Sequence, residues 1–133
     1  MAIDTKHLLQ QAVDLHASDL HLIVGVPPTV RIDGDLKTLP STGVLTPDLV
    51  AEGLKQILSN EQFERLTVNK EIDFSLSFND KARFRINAYT QKGSYAVACR
   101  RIPLEIPTLD SLSLPKIVHD FTNLRQGLVL ITG

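Results

Sequence analysis

Between Lys81 and Arg101 the chain places six cations, Lys81, Arg83, Arg85, Lys92, Arg100 and Arg101, and no carboxylate. Guanidinium groups fixed on neighbouring strands suit bidentate capture of phosphate oxygens. The chemistry open to this segment is therefore the holding of an anion. Arg85 and Arg100 are equidistant from Lys92-Gly93, a turn dipeptide, which sets them opposite one another on a hairpin. Like charges in that relation weaken the strand pair unless an anion or a carboxylate neutralises them. The competing reading is that each arginine pairs with an acidic residue on the neighbouring strand, such as Asp73 or Glu71, and residue types alone favour it.

The remaining reactive side chains do not assemble. His7, His16, His21 and His119 show no ligand spacing, so no metal site is expected. Asp19 and His21 lie two apart and share a strand face, but no third group completes a nucleophilic triad. Asp33 and Asp35 flank a turn glycine, which turn chemistry alone explains. Cys99 reads as a small buried hydrophobe of a strand.

The elements that must carry the basic segment follow from periodicity. Ile72, Phe74, Leu76 and Phe78 alternate with Asp73, Ser75 and Ser77. Ala82, Phe84, Ile86 and Ala88 alternate with Arg83, Arg85, Asn87 and Tyr89. Ser94 to Ile102 forms a third strand, and Asn79-Asp80 and Lys92-Gly93 turn the chain between them. Such a series predicts an antiparallel meander with one face on a core. Asp19 to Val24 also alternates. Thr29 to Ile32 and Asp35 to Leu39 flank Asp33-Gly34, a dipeptide favoured in two-residue hairpins. Helices are predicted from about Thr5 to His16, capped by Asp4, and after Thr46-Pro47. A short third helix opens on a capping box of Ser59 and Gln62. The expected fold class is α+β, an antiparallel sheet covered by helices.

Past Pro103 the pattern loosens into a connector, with a short helix suggested from Pro115 to Phe121. Residues 127–133 are apolar on both faces, as a buried parallel strand would be. The expected organisation is one domain over residues 1–102, a connector over 103–126, and the first strand of a further domain over 127–133.

Composition agrees with one soluble domain. The 133 residues are 43% hydrophobic and 22% charged, which excludes a disordered chain. A single cysteine fits a reducing cytoplasmic setting, and no apolar run reaches the length of a membrane span. The formal net charge is -1, which suggests indifference to polyanions. The segment from Lys81 to Arg101 carries +6, however, which leaves -7 on the other 112 residues. A near-neutral total thus hides a concentrated cationic site.

Several strings, in this order and spacing, resemble the N-terminal part of PilT-type pilus retraction ATPases of the secretion ATPase superfamily. They are Ala17-Ser18-Asp19-Leu20-His21-Leu22, Gly25-Val26-Pro27-Pro28, and Val30-Arg31-Ile32-Asp33-Gly34. Ala82-Arg83-Phe84-Arg85-Ile86-Asn87-Ala88, Arg101-Ile102-Pro103, and the run from Gly127 to Gly133 complete the set. The resemblance implies a PAS-like domain followed by a RecA-like motor domain. It implies a homo-hexamer in the cytoplasm, peripheral to the inner membrane through the pilus machinery and its platform protein. It further implies ATP and Mg in the full-length protein, with Gly133 as the first glycine of a Walker A loop. The lysine and hydroxyl residue of that loop are not among these residues, so the chain alone is not expected to hydrolyse ATP. In this family arginines of the N-terminal domain reach the triphosphate on the motor domain of the same or a neighbouring subunit. By motif position these are Arg85 and either Arg100 or Arg101, with Arg83 beside them.

Two readings from other classes compete. One is a stand-alone PAS-like sensor that holds a small anionic ligand on the basic hairpin. The other is nucleic-acid binding, for which only Tyr89 and Tyr95 offer stacking surfaces near the cations. No nucleic-acid partner is expected.

Overall fold

The computed structural model describes residues 2–39, 43–80 and 82–132. Lys81 and Gly133, both named above, lie outside the described residues. In chain order the elements are α1 (Thr5–Asp14), β1 (Asp19–Leu22), β2 (Thr29–Ile32), β3 (Asp35–Thr38), α2 (Pro47–Lys55), α3 (Asn60–Asn69), β4 (Glu71–Phe78), β5 (Ala82–Gln91), β6 (Ser94–Ile102) and α4 (Ile117–Thr122). The six strands form one antiparallel sheet in the order β3-β2-β1-β6-β5-β4. The α+β class holds, and the first three helices cover one face of that sheet.

The local reasons are those of capping and turn chemistry. The Asp4 carboxylate accepts the His7 N–H at 2.9 Å and starts α1. Thr46 caps α2 with Pro47 at the first turn, and Ser59 and Gln62 close a reciprocal capping box on α3. Helix α1 stops at Asp14 rather than His16. His16 takes a left-handed conformation, φ 54°, and the Ala17 N–H bonds the Ala12 carbonyl across the helix end. Two-residue hairpin turns at Asp33-Gly34 and Lys92-Gly93 have positive φ at both positions, as the twist of the flanking strands demands.

The core lies between sheet and helices. Leu20, Leu22, Val30, Phe84, Ile86, Ala88, Val97 and Cys99 meet Leu8, Leu9, Ala12, Val50, Leu54 and Leu66, all of them buried. The start of α1 is also latched to α2. The Thr5 hydroxyl donates to the Gly53 carbonyl at 3.0 Å, and the Gln56 amide group bonds the Thr5 N–H and the Ile3 carbonyl.

Beyond β6 no described residue is buried. Past β6 a 3-10 turn (Asp110–Leu112) and α4 are joined by a 3.3 Å contact between His119 Nε2 and Asp110 Oδ1. Residues 127–132 pair with no strand, and Leu128, Leu130 and Ile131 are exposed. No helix among the described residues is long and apolar enough to cross a membrane.

Candidate functional site

Strand alternation separates the basic segment into two populations. Registers are continuous through β1, β6, β5 and β4, without a bulge, so odd and even positions keep their faces throughout. Phe84, Ile86, Val97 and Cys99 face the helices. Arg83, Arg85 and Arg100 therefore stand on the opposite, open face. Arg85 is the register partner of Arg100, as the spacing about Lys92-Gly93 requires.

Arg101 follows the other parity. It is paired with Phe84, on the helix side, and borders a shallow hollow with His16, Ala17, Ser18 and Pro103. Of the two adjacent arginines, Arg100 is thus the one beside Arg85. Arg83 shares their face, one pleat closer to the β4–β5 turn and opposite Ile102.

The open face also carries carboxylates that are distant in sequence. One level across the sheet reads Arg31, Asp19, Arg100, Arg85 and Ser75, on β2, β1, β6, β5 and β4 in turn. Asp19 Oδ1 accepts the Arg100 Nε–H at 3.1 Å, and Oδ2 accepts the Ser18 hydroxyl at 2.8 Å. Arg31 Nε lies 3.5 Å from Oδ2. Asp73 sits diagonally from Arg85 and takes two of its nitrogens side-on, Nε at 3.1 Å and Nη2 at 2.6 Å. Glu71 accepts from the Asn87 amide at 2.9 Å. Two cations of the segment, Arg85 and Arg100, are thus paired with carboxylates across the sheet. Asp73 is the partner that residue types suggested for Arg85. For Arg100 the partner is Asp19, 81 residues away.

The two carboxylates differ in setting. Asp19 is only 8% exposed. Burial, the largest single influence, opposes its ionisation, but the bonds from Ser18 and Arg100 with the Arg100 charge prevail and hold its carboxyl below the ordinary aspartate range. Asp73 is exposed, and the hydrogen bonds from Arg85 lower its pKa and raise that of Arg85. Glu71, Asp73, Arg85, Asn87, Ala98 and Arg100 line an open depression of about 360 Å³ between the two arginines.

The remaining reactive groups stay apart. Cys99 is fully buried on the core face, its thiol pushed up to about 12 by burial. Among the described residues no cluster of three or more histidine, cysteine or acidic side chains is placed to hold a metal ion. Sequence reading missed the parts of Asp19 and Arg31 in the arginine row. The adjacency of Ser18 to Asp19 was a usable sign, but only the position of β1 beside β6 gives it meaning.

Fold and site together define an α+β domain whose open sheet face presents two opposed arginines, each braced by a carboxylate. No family model matches the chain. It is 30% identical over 131 residues to the type IV pilus ATPase PilU of Pseudomonas aeruginosa, covering 98% of this chain and 34% of the relative. It is 32% identical over 131 residues to the type IV pilus retraction ATPase PilT of the same organism, covering 98% and 38%. The crystal structure of the pilus retraction motor PilT with bound ADP superposes with a TM-score of 0.74 at 36% identity, over 93% of this chain and 36% of that one. The Legionella pneumophila ATPase DotB shares the fold, with a TM-score of 0.73 at 22% identity over 90% of this chain and 35% of its own. The chain is related in sequence and fold to the N-terminal region of PilT-type ATPases of the type II/IV secretion superfamily. It spans about a third of the length of the curated relatives it matches.

Proposed function

We propose that these residues form the regulatory and assembly domain of a pilus retraction ATPase, and that Arg85 and Arg100 complete its ATP site. The observation that carries this reading is their register on adjacent strands of one exposed face. The relatives named for pilus retraction and ATPase activity support it.

In this reading residues 127–133 open a RecA-like motor domain, and connector 103–126 sets its approach to the arginine face. The full-length protein is a cytoplasmic homo-hexamer that meets the pilus platform protein at the inner membrane and powers twitching motility. In the same reading Mg and most of the triphosphate belong to the motor domain, and this domain contributes cations. Arg85 and Arg100 fit the outer phosphate. Their N–H groups donate to its oxygens and stabilise the charge that builds there, and exchange of carboxylate for phosphate ties domain closure to nucleotide state.

The test is ATP turnover of the full-length protein carrying Arg85→Ala. Arginines in this role are worth roughly 10³-fold or more in kcat, and Arg85 is exposed, so the fold should persist. Unchanged turnover would remove Arg85 from the site.

A further inference from the structure

Arg100 and Arg85 are held in chemically different ways. Asp73 grips Arg85 by Nε and the neighbouring Nη2, the same side of the guanidinium that a phosphate would take bidentately. Asp19 grips Arg100 by Nε alone, the donor nearest the stem. Among the described residues the terminal nitrogens of Arg100 have no protein partner, and its side chain is 76% exposed. Arg100 is steadied at its base with its donor fork open.

The carboxylate that steadies it is itself fixed. Asp19 opens β1, opposite Arg31 on one side and Arg100 on the other. The Ser18 hydroxyl donates to Oδ2. Arg31, near the same oxygen, is tied by Nη1 to the Gly34 carbonyl at 2.9 Å. A nearly buried carboxylate paired with an exposed arginine is a poor source of stability, because desolvation of the acid offsets much of the attraction. What the arrangement supplies is direction.

We infer that Asp19 is a positioning residue, which holds Arg100 on the open face beside Arg85 so that its terminal N–H groups are ready for an anion. The inference rests on the phosphate-facing reading of the two arginines. Asp19 touches no phosphate. It acts by limiting the rotamers of Arg100, so that less ordering remains to be done when the anion arrives.

The test pairs two measurements on Asp19→Asn, which keeps the shape and removes the charge. In the full-length protein kcat for ATP should fall roughly tenfold or more, as for a displaced contact group, with KM changed much less. In the 133-residue chain, the side-chain Nε–H resonance of Arg100 should lose its protection from solvent exchange while that of Arg85 keeps its own. Wild-type kcat, or an unchanged Arg100 resonance, overturns the inference. If Asp19→Asn fails to fold, Ser18→Ala decides in its place, expected to give a smaller change in the same direction on both readouts. No change on either readout overturns the inference. Arg100→Ala separates the two layers. Unimpaired turnover in that variant defeats the phosphate reading itself. Lost turnover there with normal turnover in Asp19→Asn defeats only the positioning role.

Discussion

Arg85 on β5 and Arg100 on β6 stand in register, yet their carboxylates lie on opposite flanks, Asp73 toward β4 and Asp19 toward β1. The two cations are drawn apart rather than neutralised by a shared acid between them. The depression described above is lined by both guanidinium groups together with Glu71 and Asp73.

The parity of β6 separates Arg100 from Arg101. Arg100→Ala in the full-length protein is expected to cut ATP turnover by an order of magnitude or more, whereas Arg101→Ala should leave it within about twofold. Steady-state turnover of both variants checks this. Equal losses would mean that the helix side of the sheet also reaches nucleotide.

If Arg85 faces phosphate as proposed, Asp73 is its competitor for that side chain. The pair is exposed on both sides, and such pairs exchange partners at little cost. Asp73→Asn should therefore tighten nucleotide binding by the full-length protein a few-fold, read as a lower KM or in a fluorescent-nucleotide titration. Weaker binding would assign Asp73 an orienting role instead.

Asp19 should leave an acid signature. Its folded-state pKa lies below the ordinary value of 3.8. The stability it lends is present above that value and is lost as pH falls through the folded-state value. Denaturant melts at pH 7 and pH 3 should diverge less for Asp19→Asn than for the wild type. At pH 7 that variant should be less stable by no more than about 1 kcal/mol, because desolvation of the acid offsets much of the attraction.

Cys99 should behave as an inert core group. With its thiol moved from 9.0 to about 12 by burial, it should resist alkylation at pH 8 until the chain unfolds. Because the folded value is the higher one, this group's contribution is intact below 9.0 and is lost as pH rises toward about 12. Cys99→Ala should remove that alkaline loss. Rapid labelling of the native protein by a thiol reagent would contradict the packing.

Gly53 tests the latch between α1 and α2. A Cβ there would come within 2.8 Å of the Thr5 hydroxyl and 3.3 Å of Ile3. The helix-propensity gain of alanine, about 1 kcal/mol, is outweighed by overpacking of about 1–3 kcal/mol. Thermal melts should show Gly53→Ala less stable than the wild type, and the same substitution should cost less in a Thr5→Ala background, where the hydroxyl it meets is gone.

The strands, turns and helix starts were legible because each rests on local chemistry. Asp4, Thr46 and Ser59 are capping residues in sequence and in space, and the spacing about Lys92-Gly93 fixed the Arg85 and Arg100 register. The end of α1 was not legible, since His16 is a helical residue by type and left-handed by context. Nor was the place of β1 between β2 and β6, because only tertiary pairing joins the Asp33-Gly34 hairpin to the meander. That pairing determines the charge balance of the site. Asp19 and Arg31 read as strand residues with no link to the basic segment until β1 lies beside β6.

The long separation of Asp19 from Arg100 also orders events as the chain folds. The β5–β6 hairpin closes through a two-residue turn and needs no distant contact, so it can form early. At that stage Arg100 faces Arg85 without its brace, and mutual repulsion weakens the nascent hairpin. Only the arrival of β1, which closes a loop of about eighty residues, brings the carboxylate that relieves it.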